Sequence, residues 1–227
     1  MSRTLKCCIA LVPLPATTDQ LCDYSAGMPL RYLLCCLIGT LLVFAWGGIA
    51  WGGGMYERWM HPLPGGDSLA QAINSATTQS GMYVYPATPD PHLANSETEQ
   101  DNMQKAWFEK SRSGPLMMIA LTKQGQDQTD PRMFVRGALV EFFATSMLVA
   151  VIGLAGAGHG PLRRFLTLLA IVTFMNLGTH MVGWVFMSAP HEWTAVLIFD
   201  GMMGWTLAGL PAVFFLRSMR EGDAQAP

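Results

Sequence analysis

The sequence predicts an all-α membrane protein of four transmembrane helices, with a small α+β extracytoplasmic domain between helices 1 and 2. Three observations carry that prediction. Charged residues make up 13% of the chain, against about 25% in an average soluble domain, while apolar residues reach 51% and mean hydropathy is +0.28. The charges are also unevenly spread. Between Phe134 and Phe215 only Arg136, Glu141, Arg163, Arg164, Glu192 and Asp200 occur, a surface that lipid solvates and water does not. Finally, four windows reach the roughly 20 apolar residues that a helix rising about 1.5 Å per residue needs to cross a hydrocarbon core.

Taken in order, residues 1–29 read as a cytoplasmic tail. Its apolar patch at 7–14 is interrupted by Pro13 and Pro15 and is too short to span. The polar stretch 17–25 separates this patch from the first true span, and no small-x-small cleavage pattern follows at the right distance, so it does not read as a signal peptide. Met28-Pro-Leu-Arg31, followed at once by an apolar helix, has the look of a translational start. On that reading, N-terminal sequencing of the mature protein begins at Met28. The spans are expected at 30–54, 134–156, 163–187 and 193–217, with a second tail at 218–227. All five cysteines (Cys7, Cys8, Cys22, Cys35, Cys36) fall in the tail or the first span. Disulfides are not expected there, and without a CxxC or a second cluster they read as small apolar residues.

Lys and Arg bias in short flanks sets orientation. Arg3, Lys6 and Arg31 precede the first span, Arg163 and Arg164 fill the turn between spans two and three, and Arg217 and Arg220 follow the fourth. The turn at 188–192 has none. Both termini are therefore expected in the cytoplasm, and the 55–133 segment outside it.

That segment has nine acidic and six basic residues, the composition of a soluble unit. It is far longer than a bare connector. Asp67-Ser68 can cap a short helix at 69–77, 82–85 reads as a strand ended by Pro86, and 96–111 reads as a second helix capped by Asn95 or Ser96. Gly114-Pro115 ends that helix, and 116–121 is a second strand that pairs with the first. So small a unit buries little surface alone. Packing against the membrane helices is expected to complete it, with Trp59, Met60, Tyr83, Tyr85 and Trp107 at the contact.

Ionisable residues inside a span are costly, and each is by default a functional hypothesis. Three occur: Glu141, His180 and Asp200. Each lies about eight residues from the outer end of its helix, roughly 10–12 Å deep. Their helix neighbours are small or polar, as at helix contacts: Gly137 and Ala144-Thr145, Asn176 and Gly183, and Gly204. The three side chains are expected to meet inside the bundle, with Asn176 and Thr173 deeper on the histidine's helix. A structural hydrogen-bonded network is the expected use of the cluster. Two others compete with it. One is a proton or small-solute path; the other is a metal site, with His180, Glu141 and Asp200 as candidate ligands. No second histidine stands at helical spacing from His180, and His191-Glu192 is not followed by the histidine a metalloprotease helix needs. Glycine pairs Gly48/Gly52 and Gly156/Gly160 form GxxxG patterns, expected to serve close helix contact within the bundle or self-association between chains.

His61, His92 and His191 fall outside the spans beside prolines or one residue from them, and read as solvent-exposed. A net charge of -2 with no basic run longer than two residues lacks the electrostatic footprint of backbone-phosphate binding, and no nucleic-acid partner is expected. No nucleophile elbow, phosphate loop, dinucleotide fingerprint or haem-attachment motif is present, so no cofactor and no catalytic residue is assigned.

The first span ends in Trp46-Gly-Gly-Ile-Ala-Trp51 and is followed by Trp59-Met-His-Pro-Leu-Pro64, a short helix and Ser80-Gly-Met-Tyr-Val-Tyr-Pro86. With the Gly-Pro and apolar strand at 114–121 leading into three closely spaced spans, this pattern resembles a group of uncharacterised bacterial four-span inner-membrane proteins. The resemblance covers 35–216 and implies the topology and the inner membrane; no activity comes with it. The expected role is a non-enzymatic accessory or assembly factor of an envelope complex, in contact with the lipid bilayer and with other membrane proteins or copies of itself. The alternatives are an oligomeric small-solute or proton-coupled transporter and a membrane metalloenzyme.

Overall fold

The computed structural model describes residues 28–156 and 159–216. Expectations about residues 1–27, including Cys7, Cys8 and Cys22, and about 217–227 lie outside the described residues. The protein is mostly helical. Four helices are long and apolar enough to cross a membrane: Leu30–Gly52, Pro131–Ala155, Pro161–Phe186 and His191–Phe215.

The first, α1 (Met28–Gly47), runs without a break into a π-helical turn, Gly48–Gly52. The second is α4 (Pro131–Ala155). The third is α5 (Pro161–Asn176), a π-helical turn at Leu177–Met181, and α6 (Val182–Phe186). The fourth is α7 (His191–Phe215). The last three begin at 131, 161 and 191, where the apolar windows begin at 134, 163 and 193. Proline explains the earlier starts: Pro131 and Pro161 take the first helical position, where a missing N–H is harmless, and Pro190 caps α7. The Asp130 carboxylate also caps α4 by accepting from the Arg132 N–H at 2.9 Å.

α7 is the hub of the bundle, packing against α1, α5 and α4, while α1 also lies along α4. Glycines set the closest crossings. A β-carbon at Gly39 would strike the Ala208 carbonyl, at Gly209 the Leu168 side chain, and at Gly201 the Asn176 amide oxygen. Gly204 lies under Trp46 and Val43. Around these crossings sits a core of Cys35, Cys36, Val149, Ile152, Leu168, Val172, Ala212 and Val213. Both cysteines are free thiols, and Cys35 Sγ donates to the Pro211 carbonyl at 3.5 Å. Faces turned away from the core stay apolar, with Leu41, Val140, Phe143, Met147, Phe174 and Phe214 exposed.

Of the GxxxG glycines, Gly156 alone serves packing inside the chain. Gly48, Gly52 and Gly160 have open space around them, and Gly156 lies under the Arg164 side chain. The reason for Gly48 and Gly52 is local: both belong to the π turn, where residues four apart no longer line one face.

Between α1 and α4 the chain builds α2 (Gly66–Ala76), β1 (Gly81–Tyr85), α3 (Glu97–Ser113) and β2 (Met117–Leu121). The strands pair antiparallel as expected, with Tyr83 opposite Ile119 and Val84 opposite Met118. α3 starts one residue after the cap residue Ser96, whose hydroxyl accepts from the Glu99 N–H, while Glu99 Oε2 accepts from the Asn95 N–H at 2.8 Å. α2 begins earlier than its Asp67-Ser68 signal. Gly65, at a left-handed φ of 67°, is its cap, and Asp67 falls in the first turn. Of the expected contact residues, Trp59 packs against the Ala50, Tyr56 and Val196 cluster, but the helices and strands of the unit make no extended contact with the spanning helices. Trp107 turns inward on the unit itself, donating to the Pro86 carbonyl at 3.4 Å and stacking near Phe108.

Candidate functional site

Asp200 lies on α7 where the end of α1 crosses it. A charged carboxylate is tolerated in an apolar bundle when donors surround it, and the first span and the turn after it supply three. Trp46 Nε1 donates to Oδ1 at 2.8 Å, the Tyr56 hydroxyl donates to the same oxygen at 3.0 Å, and Trp51 Nε1 donates to Oδ2 at 3.0 Å. Trp46 and Trp51 are five residues apart and would point in different directions on an α-helix. The i→i+5 geometry of the π turn brings such residues back toward one face.

Aromatic packing fixes these donors in place. Trp51 meets Tyr56 and Trp193 edge-on at ring separations of 5.0 and 6.0 Å, and Trp46 meets Phe199 at 6.2 Å. Tyr56 is 2% exposed, in a cluster with Ala50 and Val196. Its phenol is pushed up to about 12, first by burial and then by the hydrogen bond to Asp200 and that residue's negative charge. It stays a donor to Asp200 throughout the physiological range.

Of the other residues singled out in the sequence, Glu141 lies on α4. Its Oε2 is buried without a hydrogen-bond partner, as is Thr145 Oγ1 one turn along the same face. His180 does not join them. It sits in the π turn of the third span, and no hydrogen bond or ion pair connects it to either carboxylate. Among the described residues, no three of His, Cys, Asp and Glu are placed to hold a metal ion. The hydrogen bonds of Asp200 thus run to Trp46, Trp51 and Tyr56, and none joins it to Glu141 or His180. Equal depth along three helices does not set the direction each side chain takes, and the π turn changes the direction of His180.

Asn176 is buried beside α7. Its amide donates to the Val172 carbonyl at 2.8 Å and its oxygen lies against Gly201, next to Asp200 in sequence but not bonded to it. Thr173 turns its hydroxyl toward the Met202 sulfur.

No family model, curated protein or solved structure matches the chain. Its function therefore has to be argued from its own geometry.

At the opposite end of the bundle, Arg164 is 5% exposed and donates to the Leu216 carbonyl at the end of α7. There it satisfies an orphan carbonyl and lies at the negative end of the helix dipole. Its neighbour Arg163 contacts His159. Sequence reasoning found both carboxylates and this arginine. It missed Trp46, Trp51 and Tyr56 as partners, because their signal was an indole pair at a spacing that only a π turn brings together.

Proposed function

We propose that the chain is an accessory or assembly factor of an envelope complex in the bacterial inner membrane, with both termini in the cytoplasm and the 57–130 unit outside. One observation carries this reading. From residue 57 to 130 not a single residue is buried, yet the unit is folded and rich in apolar side chains. On one face of its sheet, Met82 is 62%, Val84 52% and Met118 48% exposed. A two-stranded sheet is marginal by itself, and exposed apolar patches mark interaction sites. The unit reads as half of an interface that another protein completes. The Asp200 latch supports the same role, because its donors are used in fixing α1 to α7 and so in holding the base of the unit steady.

Photo-crosslinking from position 84 in native membranes tests this. The expected result is a crosslink to one different envelope protein, lost when Met82→Glu and Met118→Glu are combined and absent from position 126 in the turn. Crosslinks to lipid or to copies of the chain alone would overturn it.

The buried, unpartnered Oε2 of Glu141 favours a second reading, a proton-coupled transporter built as an oligomer, since a carboxyl group in a low-dielectric site can hold and pass a proton. Proteoliposomes carrying the wild-type chain and Glu141→Gln decide this one. Proton flux that Glu141→Gln abolishes without unfolding the bundle is the expected signature, and equal leak rates sink it.

A further inference from the structure

A cleft of about 770 Å³ opens beside the latch, at the end of the bundle that carries the 57–130 unit. It falls within the usual range of small-ligand sites, roughly 300–1,000 Å³. Its lining changes character along α7. Glu192, in the first helical turn, stands at the rim, and Ala195, Val196 and Phe199 form an apolar wall one to two turns further on. From His191 to Phe199 that wall descends about 12 Å at the usual helical rise. The opposite side is Tyr56 and Trp59, with Arg58 at the rim.

Arg58 is the informative residue. Its guanidinium lies over the Trp59 ring, 3.8 Å from the centroid, which holds the fork in place by a cation–π contact. It takes part in no ion pair, the pairing among the described residues being His191 with Glu192 at 4.0 Å. An immobilised guanidinium with unpaired N–H groups is shaped for a phosphate. Glu192, an exposed carboxylate on the same rim, suits an ammonium group. Beside the His191 imidazole, which lies 4.0 Å from Glu192, the rim therefore offers one guanidinium and one carboxylate near the Trp51, Trp59 and Trp193 rings, the residue types that mark a membrane–water boundary. Below the rim the site is apolar.

We propose that this cleft binds a zwitterionic phospholipid, its phosphate on Arg58, its ammonium on Glu192, and an acyl chain along Ala195, Val196 and Phe199. The site rests on the four helices being membrane spans and is independent of the assembly role. A free phosphate or a soluble zwitterion would leave the apolar wall uncovered. An anionic lipid would place charge beside Glu192 with no ammonium to offset it.

Native mass spectrometry of the detergent-purified chain, offered equimolar phosphatidylethanolamine and phosphatidylglycerol with matched acyl chains, tests the assignment. We expect a phosphatidylethanolamine preference of roughly fivefold to tenfold, falling to near one in Arg58→Gln and in Glu192→Gln. Arg112→Gln, remote on α3, should leave it unchanged. Equal binding of the two lipids, a preference for phosphatidylglycerol, or a preference that survives both rim variants would overturn the proposal. Carbonate-resistant membrane association of the same variants separates loss of this site from failure of the chain to insert.

Discussion

The bundle and the 57–130 unit have been stabilised by opposite means. In the bundle, side chains such as Val149, Ile152, Leu168 and Val172 are fully enclosed, glycines let α7 approach its neighbours closely, and a carboxylate is surrounded by donors. In the unit every element has a cap or a backbone partner, yet nothing is enclosed. Local hydrogen bonding shapes the helices and strands of the unit, although a two-stranded sheet is marginal by itself. Enclosure is what makes them resist replacement, so the two regions should respond very differently to mutation.

The largest effect should come from Asp200→Ala, which leaves the Trp46 indole and the buried Tyr56 hydroxyl without an acceptor. Each orphaned donor costs about 1–3 kcal/mol, so a loss of about 3–5 kcal/mol is expected in denaturant titrations of the bundle in mixed micelles. A loss below about 1 kcal/mol would mean that the latch contributes little and that the comparison rests on packing alone. Gly209→Leu comes next. Its side chain meets Leu168 and Ile152, and overpacking of this kind costs about 1–3 kcal/mol; Gly48→Leu, with open space around it, should cost far less in the same assay.

Tyr56→Phe removes one charge-assisted hydrogen bond and should cost about 1.5–3 kcal/mol. Because the folded phenol is raised from 10.0 to about 12, this contribution is fully present below pH 10 and is lost as pH rises through about 12. Stability curves of wild type and Tyr56→Phe should run parallel up to pH 10 and converge above it; parallel curves to pH 12 would refute the coupling to Asp200. The smallest effect is expected in the unit. Val84→Ser should change the stability of the isolated chain by no more than about 0.5 kcal/mol, measured by hydrogen exchange across β1 and β2. A cost like that of Gly209→Leu would show that the unit has a core after all.

Much of this was readable from composition. The four spans follow from the length and apolarity of their windows, and the antiparallel strand pair follows from two short apolar runs bounded by Gly and Pro. Glu141 and Asp200 were identifiable because a carboxylate in a span needs an explanation. What stayed hidden has one common cause, departure from the α-helical period. Trp46 and Trp51 share a target, Gly48 and Gly52 pack on nothing within the chain, and His180 stands apart from the carboxylates. All but Trp46 lie within the two π turns, where each residue's direction cannot be projected from a pitch of 3.6. The broad docking of the 57–130 unit onto the bundle, which forms only at Trp59, was expected for a different reason. A need for burial says nothing of which surface will meet it.

The latch also sets an order of events during synthesis. Trp46 and Tyr56 precede Asp200 by 154 and 144 residues, so the donors are made early and wait while two further spans emerge. Their acceptor arrives only with the last helix. A chain halted before His191 would lack the acceptor that ties the end of α1 in place, and its two indoles and phenol would be left to water at that end of the bundle.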